Sequence, residues 1–382
     1  MSVLPIYLDY NSTTPADPDV VEAMLPYFSQ RFGNASSVHR FGLDAESAVR
    51  LAREQVAALI NANPEEIIFT SGATESSNLV IKGLGQNPGI SRKICTVSST
   101  EHKAILDPAE SLKLIGKQIE KIPVLSTGLI SSPVFETLVD ESTFLIAVML
   151  ANNETGVIQP VSQFAKSAKG AGSFFLCDAV QAAGKIPIDV KELGVDFLLL
   201  SSHKLYGPKG AGVLFISKRV PRSVILPLID GGGHESGLRS GTLNVPAIVG
   251  FGKACELAKS RMNEDSLKVI NYRNQIERAL LAAFPQIVIN GIDAPRLPNT
   301  LSFSVPGLRP KQLIKSLKLL AVSSGSACTS ANPAPSHVLL AMGISTALAE
   351  NTIRISLGRT NTQEEIDHSI SILIETIGRV TS

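Results

Sequence analysis

Apolar positions in this chain alternate between short unbroken blocks and longer stretches in which they recur every three or four residues. The blocks at Glu66–Thr70, Lys93–Ser98, Phe144–Leu150, Phe174–Asp178, Phe197–Leu200 and Gly212–Ile216 read as strands. A strand buried on both faces needs continuous apolar character, not alternation. Between the blocks, Glu75–Leu84, His102–Ile115 and Val161–Ala171 carry the helical period. This strand–helix alternation, from about residue 65 to 220, predicts a mainly parallel sheet with helices on both faces.

The texture changes after about residue 245. A helical pattern spans Pro246–Arg261, and a second, charged on one face, spans Leu267–Phe284. A strand at Leu301–Val305, a short helix at Pro310–Leu320, a strand at Thr352–Leu357 and a closing helix at Glu364–Val380 follow. Without strict alternation, these elements point to a separate, smaller α+β domain beginning near residue 260. No internal repeat or low-complexity segment is evident.

Composition narrows the function classes. The 382 residues are 44% hydrophobic, enough for a full core, yet no stretch approaches the ~20 apolar residues of a membrane span. The start, MSVLPIYLDYN, lacks a basic region followed by an apolar one, so no secretory signal is expected. A net charge of +1 without basic runs argues against a nucleic-acid surface. The cysteines at 95, 177, 255 and 328 show no CxxC spacing, which favours a cytoplasmic protein over a zinc or thioredoxin-type site. His39, His102, His203, His234, His337 and His368 show no HxxH or HExxH spacing, so no metal site is expected.

Cys95, Cys177 and Cys255 lie in apolar runs and read as small core residues. Cys328 sits in SSGSACTSANPAPS, whose small, polar, Pro- and Gly-containing character favours an exposed, mobile loop. A thiol there is either incidental or reactive with a purpose.

The most informative stretch is Leu198–Leu205, LLLSSHKL, where an apolar strand ends in two hydroxyls, an imidazole and an amine. It delivers Lys204 to the carboxyl edge of the sheet, where ligands of open α/β sheets bind. Lys204 beside Ser201, Ser202 and His203 suits Schiff-base chemistry on a phosphate-bearing aldehyde cofactor, against the plainer reading of a solvated lysine closing a strand. TSGATE, Thr70–Glu75, follows a strand and opens a helix, so it either cradles an anion or caps the helix, or does both. Asp178, with Gln181 one turn on, ends another strand and reads as a partner for a protonated ring nitrogen or as a helix cap. Asn152 and Asn153 close a third strand as ring-hydroxyl partners or turn residues. His102 follows a fourth, where it could stack on a flat cofactor or serve only the fold. All of these clusters fall at the same predicted sheet edge, and that convergence favours a site.

These residues resemble the cysteine desulfurases, pyridoxal-phosphate enzymes of the class V aminotransferase superfamily with fold type I. The resemblance runs from LDYNSTTP at Leu8–Pro15 to RISLGR at Arg354–Arg359, through TSGATES, EHKA, NNETG, SSHKLYGPKG, GGGHE, RSGT and SSGSACTS. It implies a large pyridoxal-phosphate domain at residues 16–258, and a small domain made of 1–15 and 259–382 that carries the Cys328 loop. It implies a cofactor covalently held on Lys204, with Ala73, Thr74, Ser201 and His203 at the phosphate and Asp178 at the pyridine nitrogen. Asn153 and Gln181 would bond the ring edge and His102 would stack on the ring. Thr242 would reach the phosphate of a neighbouring subunit, making the protein a homodimer. Arg354 would bind the carboxylate of L-cysteine, with Asn153 and Asn34 beside the substrate and His39 in the same bordering segment. Cys328 would take the sulfur as a persulfide, leaving L-alanine, and hand it to an acceptor such as an iron–sulfur scaffold or a sulfur carrier for cluster assembly, tRNA thiolation or cofactor synthesis.

Close alternatives are a selenocysteine lyase, whose chemistry the same geometry could handle, or another class V aminotransferase-type enzyme, which shares the lysine and aspartate but would have no use for Cys328 in its loop. A non-catalytic carrier that kept the fold would not need Lys204, Asp178 and His203 together. The chain stops at Ser382, soon after ISILIETIGRV, where members of the family commonly extend further to dock a scaffold protein. Docking by that route is therefore not expected.

Overall fold

The computed structural model describes residues 4–309, 311–324 and 334–381. Its strands in chain order are β1 (Ile6–Tyr7), β2 (Ile67–Thr70), β3 (Ile94–Ser98), β4 (Gln118–Ile122), β5 (Thr143–Ala147) and β6 (Phe174–Asp178). There follow β7 (Phe197–Ser201), β8 (Gly212–Ile216), β9 (Val288–Ile289), β10 (Thr300–Ser304), β11 (Leu320–Ala321) and β12 (Thr352–Ser356). Seven of them form one sheet in the order β2-β8-β7-β6-β5-β3-β4. The expected parallel α/β architecture with a smaller α+β part is what the chain adopts. Within the large sheet β8 alone runs against its neighbours β7 and β2. The cause is local: only residues 202–211 join β7 to β8, too few for the dozen or more that a parallel crossover needs.

The central strands are buried along their whole length, and alternate residues serve opposite faces. Leu198, Leu200, Val213 and Phe215 join one apolar cluster, while Leu199, Leu214 and Ile216 join the other. Helices Arg40–Leu59 and Val245–Ala283 cover the first face. They cross where a Cβ on Gly252 would lie 2.6 Å from the Ala52 Cα, so glycine there lets the backbones approach. Helices Ala73–Gly85 and Lys103–Ser111 cover the second face.

Three elements differ from the sequence reading. The patterns at Pro246–Arg261 and Leu267–Phe284 are one continuous helix, Val245–Ala283. The apparent break between them contains no glycine or proline. It marks a change of partner, because Phe251 and Cys255 pack on the large sheet whereas Val269, Ile276 and Leu280 pack in the second unit. The long helix Arg40–Leu59 and the edge strand β4 also went unread. Their polar exposed positions dilute the apolar signal.

The smaller part is a three-stranded antiparallel sheet, β12-β10-β9, with β1 and β11 paired in parallel. Leu8, Phe303, Ile353 and Ile355 pack there against Ile366, Leu373 and Ile377 of the closing helix Gln363–Thr381. Its consequence for the site lies in the N-terminal segment. Leu8 donates to the Ala321 carbonyl and Tyr10 to that of Ser356, and the next residues are carried back to the edge of the large sheet. No described helix is long and apolar enough to cross a membrane.

Gly212 begins β8 directly against the loop after β2: a Cβ there would stand 2.4 Å from the Gly72 Cα. Backbone cannot move aside as a side chain does, so Gly212→Ala is expected to cost about 1–3 kcal/mol, the usual penalty of overpacking. Urea unfolding measures it; an unchanged midpoint would show that the two segments are not held together.

Candidate active site

The carboxyl ends of β2, β3, β5, β6 and β7 open on one cavity of about 570 Å³, within the range of small-molecule sites. Ala73, Thr74, His102, Asn153, Asp178, Gln181, Ser201, His203, Lys204 and Arg354 all line it. Asn34 and Thr242 are not among the lining residues. Thr242 is exposed, and the Asn34 side chain accepts the Ser36 amide at 2.9 Å. Cys328 lies outside the described residues.

Lys204 closes a single 3₁₀ turn, Ser202–Lys204, at the end of β7. Its Nζ donates to the carbonyls of Asn11 and Ser12, both at 2.6 Å. The N-terminal loop is fastened to this turn. Thr14 donates to the His203 carbonyl through both its amide and its hydroxyl, at 3.0 Å each, and its hydroxyl accepts the Tyr206 amide at 2.8 Å. Gly207 has no room for a side chain, since a Cβ would sit 2.0 Å from the Ser202 Oγ.

The residues at the other strand ends have these local partners. Helix Ala73–Gly85 starts from Gly72 with no side-chain cap, although Glu75 accepts the Ser71 amide at 2.8 Å. A helix start leaves first-turn N–H groups without partners in the helix, which suits an anion. Asn152 is the turn residue: its Oδ1 accepts the Glu154 and Thr155 amides, both at 2.9 Å, while Asn153 faces the cavity. Asp178 accepts the Val180 amide at 2.9 Å through one oxygen and also lines the cavity. His102 caps helix Lys103–Ser111, its Nδ1 accepting the Ala104 amide at 3.1 Å. An accepting Nδ1 puts the ring proton of a neutral imidazole on Nε2. Both residues accept a local backbone amide and still line the cavity.

Arg354, on β12, is 3% exposed and held on three sides. It donates to the Asn153 carbonyl at 3.0 Å, to Asp9 at 2.6 Å and to the Ser12 Oγ at 3.1 Å. Ser323 pairs with Arg354 through the backbone, at 3.2 and 2.7 Å. Beyond the undescribed stretch, the Ser336 hydroxyl donates to Glu154, and the His337 Nε2 bonds the Glu101 carbonyl at 2.9 Å.

Several of these residues gave little sign in the sequence. Asn11, Ser12 and Thr13 line the cavity from a segment far away in the chain; LDYNSTTP carries part of the family resemblance, but it assigns these residues no role. Glu101, wholly buried beside His102, accepts the Met149 amide at 2.5 Å through one oxygen, and its other oxygen has no hydrogen-bond partner. Burial, reinforced by the Asp178 charge, pushes its carboxyl well above the usual range. Burial raises Asp178 and Glu154 as well. Burial, then the charges of Lys204 and Arg354, pulls Lys185 down to about 7. The thiols of Cys95, Cys177 and Cys255 are buried, and burial pushes Cys95 up to about 12, which makes it a poor nucleophile.

A cofactor with an anion, a flat ring and an aldehyde fits this donor set: a helix start and hydroxyls at one side, a half-bonded carboxylate at another, and an amine between. An added Cβ at Gly72 or Gly210 would meet nothing within 4 Å, so the wall is open to a ligand there.

An α/β chain of this topology with a lysine at the end of a central strand belongs to a known class: the profile described as Aminotransferase class-V matches residues 6–368. Cysteine desulfurase IscS of Anaeromyxobacter sp. (strain Fw109-5) is 46% identical over 378 residues, covering 99% of this chain and 93% of the relative. That of Rickettsia akari (strain Hartford) is 45% identical over 379 residues, covering 99% and 92%. Among solved structures, a NifS-like protein aligns with TM-score 0.90 and 38% identity over 98% of this chain and 100% of its own. SspA, solved in complex with cysteine, aligns with TM-score 0.83 and 36% identity over 94% and 100%. The chain therefore belongs to the cysteine desulfurases, a pyridoxal-phosphate-dependent family of the class V aminotransferases.

His203 supplies a pH test. Burial, then the charges of Lys204 and Lys209, lower its pKa to about 4, from about 6.5 in the unfolded chain. Between those values the unfolded state binds more protons, so stability rises with pH through the window and is lost as pH falls. His203→Gln is expected to flatten stability against pH from about 4 to 6.5 in urea unfolding. An unchanged slope would mean that the imidazole is not held neutral.

Proposed function

We propose that this chain takes the sulfur from L-cysteine with pyridoxal 5'-phosphate held covalently on Lys204, releases L-alanine and keeps the sulfur as a persulfide on Cys328. The supporting observation is the convergence of Lys204, Asp178, His102 and the helix start at Ala73 on one cavity. Bound there, the cofactor supplies an electron sink for bond breaking at the substrate.

The chain's own groups do the rest. Ala73, Thr74, Ser201 and His203 would hold the phosphate, and the neutral His203 ring is itself fixed by Thr13 at 3.1 Å. Asp178 would pair with the ring nitrogen: burial that raises a lone carboxyl favours taking a cationic partner. Asn153 and Gln181 would bond the ring edge, and His102 would cover its face. Lys204 would move the proton at the substrate Cα. Arg354, its guanidinium fixed by three bonds, would bind the substrate carboxylate.

Cys328 lies five positions beyond Ser323, which pairs with Arg354 at the cavity. That limits its reach to roughly 18 Å from this anchor. The Cys328 thiolate takes the substrate sulfur and passes it to an acceptor protein, an iron–sulfur scaffold or a sulfur carrier. This chemistry suits the cytoplasm, where thiols stay reduced.

A homodimer is part of the proposal. Leu25, Phe28, Phe32, Phe41 and Leu43 are exposed, the rings of Phe32 and Phe41 with centroids 5.6 Å apart, and exposed apolar surface of this kind suits a partner interface. The Ser36 hydroxyl meets the His234 ring at 3.0 Å, tying the segment of Asn34 to the loop that leads to Thr242.

Cys328→Ala is expected to load the cofactor normally but to lose persulfide and alanine formation from L-cysteine by roughly 10³-fold or more. Lys204→Ala should lose both, together with covalent retention of the cofactor. Normal alanine output from Cys328→Ala would refute the sulfur-accepting role.

A further inference from the structure

Lys185 belongs to none of the groups assigned above, and it does not line the main cavity. It lines a separate cavity of about 40 Å³ behind Lys204, beside Tyr206 and Ser266. Its Nζ donates to the Gln181 backbone carbonyl at 2.9 Å and to the Gln181 Oε1 at 3.1 Å. The other end of the same amide, Nε2, donates to the Asn11 carbonyl at 3.0 Å. That carbonyl also accepts from Lys204 at 2.6 Å. Lys185, Gln181, Asn11 and Lys204 therefore form one chain of hydrogen bonds running from behind the site to its amine.

Both contacts on the amide require the same orientation. A carbonyl can only accept, so the Asn11 oxygen demands the NH₂ end, and an amine with N–H groups to donate satisfies the Oε1 end. Lys185 keeps such donors in either protonation state. The Asn11 carbonyl engages one N–H of Gln181, and the second remains for the cavity that Gln181 lines. Without Lys185 the amide oxygen would lose its partner in a partly buried place, and turning it toward the cavity would offer an acceptor instead of a donor.

We propose that Lys185 is a positioning residue that locks the Gln181 amide with its NH₂ toward the cavity, so that Gln181 donates to an oxygen on the edge of the bound ring. The inference rests on the pyridoxal-phosphate reading and says which way round one of its contacts is held. A donor at that oxygen stabilises its deprotonated form, so losing the donor raises the pH at which the bound cofactor's visible absorption titrates.

The test uses the full chain loaded with pyridoxal phosphate. Lys185→Met is expected to load the cofactor and to move the titration midpoint up by roughly one pH unit, the size of one hydrogen bond to a charged oxygen. Lys185→Gln, which restores an N–H donor, is expected to return the midpoint toward that of the wild type, and it carries the test should Lys185→Met not fold. In a Gln181→Ala background, Lys185→Met should add no further shift. An unmoved midpoint in Lys185→Met overturns the inference, and so does a shift of equal size in the Gln181→Ala background, which would assign the effect to the lysine charge alone. Wild-type chain that takes up no pyridoxal phosphate would overturn this inference together with the reading beneath it, whereas a loaded wild type with an unmoved variant would overturn this inference alone.

Discussion

The site depends on one contact between distant parts of the chain: the Lys204 amine held by the carbonyls of Asn11 and Ser12. The strand β7 brings the lysine to the sheet edge, but a lysine stem alone has many rotamers and much entropy to lose. Two short bonds to main-chain oxygens fix where the amine waits. Asn11 is in turn 1% exposed and held by Asn153, Thr300, Asn299 and Ser356. The same carbonyl that receives Lys204 receives Gln181. A wall of the cavity is thus built by the N-terminal segment, which the smaller part of the fold anchors through the pairing of β1 with β11.

Electrostatics follows from that packing. Carboxyls and bases are gathered at the sheet edge, where burial disfavours charge on each of them. Asp178, Glu101 and Glu154 are pushed up, and His203 and Lys185 are pushed down. Groups in such a state gain from a ligand of complementary charge; Asp178 and His203 line the cavity itself, and perturbed groups in a cleft mark a functional site. The three described cysteines are buried. The proposal gives the reactive thiol to the fourth.

Much of this was legible in the sequence because it is written in local pattern. An apolar run that ends in SSHK, another that ends in a lone aspartate, and a helix opening on TSGAT each place chemistry at a strand end without knowledge of the fold. What stayed hidden has no local signature. Asn11 is one polar residue in a polar run, and its importance arises from contacts with residues 142 to 345 positions away. Glu101 stands in EHKA with no local sign of its burial, and nothing around Lys185 in the sequence marks its contact with Gln181. The split of helix Val245–Ala283 into two patterns has the same origin, since one helix serving two cores shows two apolar faces.

The most direct test of the arrangement is to reduce the pyridoxal-phosphate-loaded chain with borohydride and map the modified peptide by mass spectrometry. Reduction fixes the cofactor to whichever amine holds it. The geometry predicts a single label, on Lys204. A label on Lys209 or Lys185, the other lysines around the two cavities, or no label on a chain that has bound the cofactor, would contradict it.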